Sequence, residues 1–175
     1  HVRAAACAAI ERGASRYTAV SGIADLRAAA AKDLSAVHGV TIQPEEVMVS
    51  TGAKQCLFNA FQSLLDEGDE VLIPTPTWPS HVELVRLAGG VAVLCPSAAS
   101  EDFRLDVDAL RRKITPRTRI LLLASPSNPT GMLIDEQTMQ QVVRLLHDVP
   151  DLLVLTDDLY RRLAYPPGRF VSLLR

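Results

Sequence analysis

Short apolar segments typical of buried strands alternate repeatedly with helix-type segments along this chain. The predicted strands are residues 47–50, 70–73, 91–95, 119–124 and 152–156, and the predicted helices are residues 4–12, 23–38, 53–65, 81–88, 106–114 and 135–147. The strands are continuous apolar runs rather than alternating ones, which is the pattern of strands covered by helices on both faces. This order predicts an α/β fold with a mainly parallel sheet.

Length and composition agree with a single well-buried domain. The chain has 175 residues, of which 48% are hydrophobic, so it is long enough to bury one sizeable core. Its 18 Lys and Arg residues nearly balance 20 Asp and Glu residues, and the formal net charge is −2. That balance gives no electrostatic argument for a nucleic acid or an anionic membrane as partner. No apolar run approaches the roughly 18 residues that a membrane-spanning helix needs.

The three cysteines, Cys7, Cys56 and Cys95, lie far apart in apolar surroundings. Their odd number and the lack of a C-x-x-C pair argue against a disulfide framework and against a zinc site. The spacing of the four histidines does not indicate a metal site either. We therefore predict buried free thiols in a reducing, cytoplasmic compartment, and no bound metal.

Both ends of the sequence have the character of internal segments. His1 is not an initiating Met, and the first residues already read as helix without a signal-peptide pattern. The last residue, Arg175, follows a turn. We therefore expect this chain to be a fragment of a longer protein.

Polar and aromatic side chains gather where the predicted strands end. In open parallel sheets, ligands bind beyond the carboxyl ends of the strands, so these positions are candidates for a site. The residues found there are Thr51, Gly52, Ala53 and Lys54 after the first strand, Trp78 after the second, Asn128 after the fourth, and Asp157 and Tyr160 after the fifth.

Each of these positions also has an ordinary structural explanation. The STGAK turn (50–54) fits a tight strand-to-helix turn as well as it fits an anion site made of backbone N–H groups. Taken alone, Trp78 is a core or interface residue, and Asp157 caps the next turn. Together, a phosphate-binding turn, a stacking ring, an amide and a carboxylate describe a site for a planar, phosphorylated heteroaromatic cation. Pyridoxal phosphate has that chemistry.

Five segments resemble the class I/II aminotransferases of the fold-type I pyridoxal phosphate-dependent family, and most of all its aspartate aminotransferase branch. They are YTAVSGIADLR (17–27), STGAKQCLFNAFQSLLDEGDEVLIPTPTWPSH (50–81), LAGGVAV (87–93), ITPRTRILLLASPSNPTG (114–131) and LTDDLY (155–160). The resemblance implies a three-layer α/β sandwich, the large domain of that family, here incomplete. It also implies an N-terminal helix over residues 1–16, a partial cofactor-binding large domain over residues 17–175, and no small domain.

The resemblance implies a role for each residue at the strand ends. Gly52, Ala53 and Lys54 match the turn that binds the phosphate of the cofactor, mostly through backbone N–H groups. Trp78 matches the residue that stacks on the pyridine ring and contacts the substrate. Asn128 matches the amide that bonds the phenolic oxygen of the ring and lies near the substrate carboxylate.

Four further positions have counterparts in the family. Asp157 matches the carboxylate that keeps the pyridine nitrogen protonated, and Tyr160 matches a second partner of the phenolic oxygen. Tyr17 matches a tyrosine that reaches across a dimer interface to the phosphate bound by the partner subunit. His81 resembles a group that supports the aspartate.

The resemblance places the lysine that forms the Schiff base beyond Arg175, together with the arginine that binds the substrate carboxylate. The lysines present are Lys32, Lys54 and Lys113, and none of them matches that position. We therefore expect no catalytic residue in this chain. Alone, the chain is expected to bind pyridoxal phosphate weakly and not to transaminate.

The implied activity of the complete protein is transfer of an amino group between an α-amino acid and a 2-oxo acid. A cytoplasmic homodimer is expected, with these small molecules as partners and with neither nucleic acid nor membrane. Two alternatives stay open. One is another reaction of the same family, a β-lyase or an aminocyclopropane-carboxylate synthase-like elimination, and the other is a non-catalytic ligand-sensing or dimerisation domain.

The SPSNPTG segment (125–131) carries one structural expectation of its own. X–Pro bonds have a small cis penalty and adopt the cis form at tight functional turns. Together with the resemblance, this favours a cis bond at Asn128–Pro129 and makes Thr75–Pro76 a second candidate.

Overall fold

The structure, a computed structural model, describes residues 1–174 and divides into two compact units, His1–Ser50 and Thr51–Arg175. The first unit contains helix α1 (Val2–Glu11), helix α2 (Ala24–His38) and a 3₁₀ turn at Pro44–Glu46. Both predicted helices of this unit are confirmed, with bounds within two residues of those predicted.

Residues 47–49, which follow the 3₁₀ turn, are hydrogen-bonded to α2 and to the loop before it. Arg27 Nε donates a hydrogen bond to the Val47 carbonyl at 2.9 Å. Gly22 approaches Val49 so closely that a Cβ at Gly22 would lie 2.8 Å from the Val49 Cβ. The prediction of a strand at residues 47–50 is wrong, because the Val49 N–H donates to the Ser21 carbonyl at 3.0 Å and no ladder forms there. The β-branched residues make the backbone extended, but a strand also needs a paired neighbour.

The second unit is built on four strands that all run parallel. They are β1 (Glu70–Thr75), β2 (Val91–Pro96), β3 (Thr118–Ala124) and β4 (Leu153–Asp157), in the spatial order β2-β1-β3-β4. The register pairs Val71 of the central strand β1 with Ala92 on one side and Ile120 on the other. The four strand predictions after residue 69 and the parallel sheet are therefore confirmed.

Four helices cover the two faces of this sheet. They are α3 (Ala53–Leu64), α4 (Pro79–Leu87), α5 (Val107–Lys113) and α6 (Glu136–Asp148). Asp106 and Asp135 begin α5 and α6 as N-caps, each accepting a backbone N–H at 2.8 Å. The predicted bounds of these helices agree with the observed ones to within two residues, because caps and apolar periodicity are local signals.

The core lies on both faces of the sheet because side chains alternate along a strand. Leu72 and Leu121 pack in a cluster with residues of α5 and α6, whereas Val71 and Ile120 pack in a second cluster with residues of α3 and α4. All four side chains are fully buried. The three-layer α/β sandwich is thereby confirmed.

The spacing of Leu57, Phe58, Phe61, Leu64 and Leu65 in the sequence predicts one apolar face on helix α3, and the face that is buried in the structure is narrower. Leu57 and Phe61 are buried as expected, at 5% and 0% exposure, and belong to the cluster under α3 and α4. Phe58 and Leu64, which were predicted on the same face, are 38% and 40% exposed. The apolar stripe of a helix is set by what packs on it, and the sequence alone does not show where that surface ends.

The cysteines do not all have the predicted environment. Cys95 is buried, and this burial raises the pKa of its thiol. Cys7 and Cys56 are exposed, so the prediction of buried thiols is wrong for both. Cys7 belongs to α1, which has no buried residue, and Cys56 lies beside the buried face of α3 rather than on it.

Two kinds of feature are absent from residues 1–174. No helix in this part of the chain is long and apolar enough to cross a membrane. In the same residues, no group of three or more His, Cys, Asp or Glu side chains is arranged to hold a metal ion.

Candidate functional site

The carboxyl ends of β1, β3 and β4 and the start of α3 surround one cavity of about 290 Å³. Its volume lies close to the lower end of the range for small-molecule sites, about 300 Å³. The residues that line it are Gly52, Ala53, Lys54, Trp78, His81, Ala124, Pro126, Asn128, Asp157, Leu159 and Tyr160. The parallel arrangement thus brings together every residue of the second unit for which the resemblance implies a role toward the cofactor, whereas Thr51 does not line the cavity.

The turn before α3 lines this cavity with Gly52, Ala53 and Lys54. Gly52 is the N-cap of α3 and has φ of +86°, a conformation that residues with a Cβ adopt only with strain. A Cβ at Gly52 would have no other atom within 4 Å, so the positive φ, and not a lack of room for a side chain, favours glycine at this position. The Gln55 N–H donates to the Gly52 carbonyl at 3.1 Å, but the Ala53 and Lys54 N–H groups before it have no carbonyl one helical turn back, and the helix dipole is positive at this end. This turn is suited to hold an anion.

Trp78 forms a flat wall of the cavity. It precedes α4 as the N-cap, and Pro79 at the first helical position fixes the direction of the chain. The Lys54 ammonium lies 4.8 Å from the centroid of the Trp78 ring, which is cation–π distance. The edge of the ring meets the His81 ring in a T-shaped contact at 5.5 Å and 88°. These contacts fix the plane of the indole.

The SPSNPTG segment forms a tight connection after β3. The Gly131 N–H donates to the Ser127 carbonyl at 2.8 Å, and the Ser127 N–H donates to the Met132 carbonyl at 2.9 Å. Ser125 is buried, and its hydroxyl accepts the Ile134 N–H at 3.0 Å. These bonds fold the segment back on itself, and Asn128 lines the cavity from it.

Four peptide bonds in residues 1–174 are cis. The predicted cis bonds at Asn128–Pro129 and Thr75–Pro76 are confirmed. Two further cis bonds, at Ser125–Pro126 and Pro166–Pro167, were not predicted from the sequence. Pro126, like Asn128, lines the cavity.

Asp157 is the last residue of β4 and is only 13% exposed. Its Oδ2 lies 3.2 Å from His81 Nε2, and its Oδ1 accepts the Leu159 N–H at 3.3 Å. The hydrogen bond from His81 holds the pKa of Asp157 below its ordinary value, although burial acts in the opposite direction. Asp157 therefore presents an ionised carboxylate to the cavity.

Some participants were not found by sequence reasoning. Ala124, Pro126 and Leu159 line the cavity without any polar signal in the sequence. Thr77 bonds the second nitrogen of the His81 ring at 2.8 Å. The four-residue spacing of Thr77 and His81 at the start of a helix could have indicated this contact. Tyr17, the remaining predicted site residue, belongs to the first unit and is fully exposed.

The fold and the cavity define a class of protein before any relative is considered. A parallel sheet covered by helices on both faces, with a polar cavity at the carboxyl ends of its strands, is an α/β protein with a ligand pocket. The family described as aminotransferase class I and II matches residues 1–175. The chain belongs to this family, and membership implies the use of pyridoxal phosphate.

The relatives agree with this family. Over 172 residues the chain is 42% identical to the aspartate aminotransferase of Rhizobium meliloti. The matched region is 98% of this chain and 42% of that protein. Over 170 residues the chain is 40% identical to the aspartate/prephenate aminotransferase of Thermus thermophilus, covering 97% and 44%. The solved structure of aspartate aminotransferase from Thermus thermophilus with maleate matches with a TM-score of 0.93 at 39% identity, covering 99% and 46%. The chain thus spans less than half the length of these relatives.

Proposed function

We propose that this chain is the cofactor-binding part of a pyridoxal phosphate-dependent aminotransferase, which moves an amino group between an α-amino acid and a 2-oxo acid. The observation that carries the proposal is the single cavity shared by an anion-binding turn, an indole wall, an amide and an ionised carboxylate. The cavity residues fit the cofactor, because its phosphate, its ring nitrogen and its phenolic oxygen would each meet a group that can bond it.

The phosphate would bind at the start of α3, where Gly52 and Ala53 offer backbone N–H groups. Trp78 would stack on the ring, and the Asn128 amide would donate to the phenolic oxygen, with Tyr160 as a second donor. Asp157 would accept a hydrogen bond from the protonated ring nitrogen and thereby keep that nitrogen charged. When bound, pyridoxal phosphate supplies an electron-withdrawing ring that stabilises negative charge at the α-carbon of an amino acid.

The proton transfer at the substrate needs a base that this chain does not offer at the expected position. Lys54 belongs to the turn before α3 and lies over Trp78. We expect the base in the part of the relatives' length that this chain does not span. The term "longer form" denotes a polypeptide that contains this chain and extends to the length of the relatives.

The substrate is proposed to be an acidic amino acid. The relatives are named for aspartate, and the Thermus thermophilus structure was solved with maleate, which is a dicarboxylate. In this chain, Lys54 places a positive charge at the cavity, where it can attract the side-chain carboxylate of such a substrate. In the longer form, Lys54→Met should raise the KM for aspartate at least about tenfold and change the KM for alanine little. An equal loss for both amino acids would contradict this role.

A homodimer in the cytoplasm is proposed for the longer form. Tyr17 is fully exposed and Val20 is 94% exposed, so apolar surface is available for a second subunit. The three free cysteines suit a reducing compartment. Sedimentation of the longer form measures the oligomeric state, and a monomer at micromolar concentration would contradict the proposed dimer.

The function is tested by titrating pyridoxal phosphate into the 175-residue chain and into the longer form. Trp78 is the only tryptophan of the chain, so quenching of its fluorescence reports a ring bound against it. We expect weak saturable quenching and no transamination by the chain, and turnover of aspartate with 2-oxoglutarate by the longer form. Robust turnover by the chain alone would show that the base lies within it. Lack of cofactor binding by both forms would overturn the proposed function.

A further inference from the structure

The Gln55 side chain bridges the turn before α3. Its Oε1 accepts the Thr51 N–H at 2.8 Å and also accepts the hydroxyl of Thr51. A backbone N–H only donates, so the side-chain atom that meets it must be the amide oxygen, and this fixes the orientation of the Gln55 amide. Gln55 is the third residue of α3, and Thr51 precedes the N-cap Gly52. These two side-chain bonds form the Gln55 bridge, which spans Gly52.

A pair of backbone hydrogen bonds closes the same turn. The Gly52 carbonyl accepts the Gln55 N–H at 3.1 Å and the Cys56 N–H at 3.3 Å. Gln55 thus binds the residues before α3 with both its backbone and its side chain. None of these bonds uses the N–H groups of Gly52, Ala53 and Lys54, the three residues of the turn that line the cavity.

The conformation of Gly52 does not hold itself. Its φ of +86° and ψ of 167° lie in a region that is nearly exclusive to glycine. Glycine permits this conformation without enforcing it, because glycine adopts negative φ about as readily. Rotation about either angle changes the direction of the Gly52 N–H relative to the Ala53 N–H. A contact that spans Gly52 restricts both angles, and the Gln55 bridge is such a contact.

Thr51 and Gln55 are not part of the cavity wall. Neither residue lines the cavity, and both are exposed. The N–H and the hydroxyl of Thr51, which could otherwise bind an anion, are both bonded to Gln55. Any effect of Gln55 on a ligand in the cavity must therefore pass through the turn.

We propose that Gln55 is a positioning residue. The Gln55 bridge holds the turn so that the N–H groups of Gly52, Ala53 and Lys54 keep one arrangement in which they can bind an anion. Without the bridge the turn would have to be ordered when the anion binds, and this loss of conformational freedom weakens binding. The identity of the anion as the phosphate of pyridoxal phosphate rests on the proposed function.

The bridge is tested first without a ligand, in the 15N-labelled 175-residue chain. Gln55→Met removes the acceptor but keeps a side chain of similar length and helix propensity. The Thr51 amide should then exchange its hydrogen with water about 2- to 10-fold faster, as expected for the loss of one hydrogen bond. Gln55→Glu keeps a side-chain acceptor and should preserve the exchange rate of wild type.

Gln62→Met is the matched control. Gln62 is an exposed glutamine of the same helix, about two helical turns further along, and its Nε2 donates to the Leu87 carbonyl at 3.1 Å. This variant removes a side-chain hydrogen bond from α3 away from the turn. It should leave the exchange rate of the Thr51 amide unchanged.

The consequence for binding is tested by comparing pyridoxal phosphate with pyridoxal, which lacks the phosphate. Quenching of Trp78 fluorescence measures both affinities in the chain, and absorbance measures them in the longer form. Gln55→Met should lower the affinity for pyridoxal phosphate about 2- to 10-fold and leave the affinity for pyridoxal unchanged. Gln62→Met should change neither affinity.

Gln55→Glu separates the bridge from the charge. It keeps the bridge but adds a negative charge near the anion, so it should also lower the affinity for pyridoxal phosphate. Added salt screens this repulsion, so the loss in Gln55→Glu relative to wild type should shrink with salt, whereas the loss in Gln55→Met should not. Equal salt dependence in both variants would mean that charge, and not the arrangement of the turn, explains the loss, and would overturn the proposal.

Two other results would overturn the role of Gln55. One is an unchanged exchange rate of the Thr51 amide in Gln55→Met. The other is faster exchange with an unchanged preference for pyridoxal phosphate over pyridoxal, because Gln55 would then stabilise the helix and nothing more. If wild type binds pyridoxal phosphate and Gln55→Met behaves like wild type, the role of Gln55 fails and the proposed function stands.

Failure of the proposed function has a different signature. If wild type binds pyridoxal phosphate in neither form, the proposed function fails, and a titration with inorganic phosphate decides the role of Gln55. Shifts of the Gly52 and Ala53 amide signals that are weaker in Gln55→Met than in wild type would support that role. Equal shifts in both proteins, or none in either, would overturn it.

Discussion

Two carboxylates lie at opposite ends of the same parallel sheet, and their surroundings differ. Glu70 is the first residue of β1, whereas Asp157 is the last residue of β4. Glu70 is 6% exposed and accepts the hydroxyls of Thr115 at 2.6 Å and Thr118 at 3.1 Å. Asp157 accepts from His81 and from a backbone N–H, and it lines the cavity.

Both environments shift the pKa in the same direction. The hydrogen bond from the Thr115 hydroxyl lowers the pKa of Glu70 most strongly, and Thr118 and Arg117 lower it further. The burial of Glu70 acts in the opposite direction. The bond from His81 lowers the pKa of Asp157. A lowered carboxyl pKa therefore does not identify a functional site by itself. The difference is geometric, because the partners of Glu70 tie β1 to the loop before β3, whereas Asp157 faces a space that can hold a ligand.

The largest expected effect concerns Asp157 and tests the functional side of this comparison. Asp157→Asn removes the charge that would bond a protonated ring nitrogen, and a charged hydrogen bond contributes about 1.5–3 kcal/mol. The affinity for pyridoxal phosphate should fall about 10–150-fold, measured by quenching of Trp78 fluorescence or by absorbance. Glu70→Gln is the matched control and should leave the affinity unchanged. An equal loss in both variants would mean that folding, and not the site, was affected.

The second effect concerns the stability of the fold, which the change at Glu70 should lower more than the change at Asp157. Glu70→Gln can keep an oxygen toward Thr115 and Thr118, but it removes the negative charge that these donors share and turns an amide N–H₂ toward the Arg117 guanidinium. It should therefore lower the free energy of unfolding by about 1.5–3 kcal/mol. Urea denaturation at neutral pH measures this change. Asp157→Asn keeps an oxygen that accepts from His81 and should cost less. If the ranking were reversed, the structural role assigned to Glu70 would be wrong.

The third effect is smaller and concerns pH: acid should lower the free energy of unfolding of wild type more than that of Glu70→Gln. Because the folded-state pKa of Glu70 is depressed, its contribution is complete above the unfolded carboxyl pKa of about 4.3. The contribution is lost as the pH falls through the folded-state value, with a slope of at most about 1.4 kcal/mol per pH unit. Urea midpoints between pH 7 and pH 3 should therefore fall less steeply for Glu70→Gln than for wild type. Identical slopes would exclude Glu70 as a source of the acid sensitivity.

The smallest effect is expected at Arg117, which forms an ion pair with Glu70 at 3.4 Å. The Arg117 side chain is 70% exposed, so water and salt screen this pair. Arg117→Ala should change the free energy of unfolding by less than about 1 kcal/mol. Urea denaturation at low and at high salt measures this change. If Arg117→Ala lost as much stability as Glu70→Gln, the arginine and not the hydroxyls would stabilise the carboxylate.

The sequence predicted the fold well where the signals are local. The helix beginning at Glu136 has an aspartate cap and a strong apolar stripe, and the strand at Thr118–Ala124 is a continuous apolar run. Residues 47–50 have the same β-branched character as a strand, yet their hydrogen bonds go elsewhere. Pairing is a property of neighbours distant in sequence, so composition alone could not exclude it.

The candidate site was predictable to a similar degree. Parallel strands place their carboxyl ends on one edge, so Trp78, Asn128 and Asp157 could be predicted to converge. The resemblance added His81 as a support of Asp157, and the contact is present at 3.2 Å. The roles of these residues toward a cofactor stay predictions. Thr77 was missed because a threonine in a turn has many uses, and only its distance to Nδ1 reveals this one.

The sequence by itself determined the alternation of strands and helices, the caps, and the types of side chain that end each strand. These features depend on neighbours within a few residues, where the chain has little conformational choice. Only the tertiary structure decided that Phe58 and Cys56 stay exposed, that residues 47–50 do not pair as a strand, and that Thr77 meets His81. The physical reason is that burial, pairing and the direction of a hydrogen bond are set by groups brought together from distant parts of the chain.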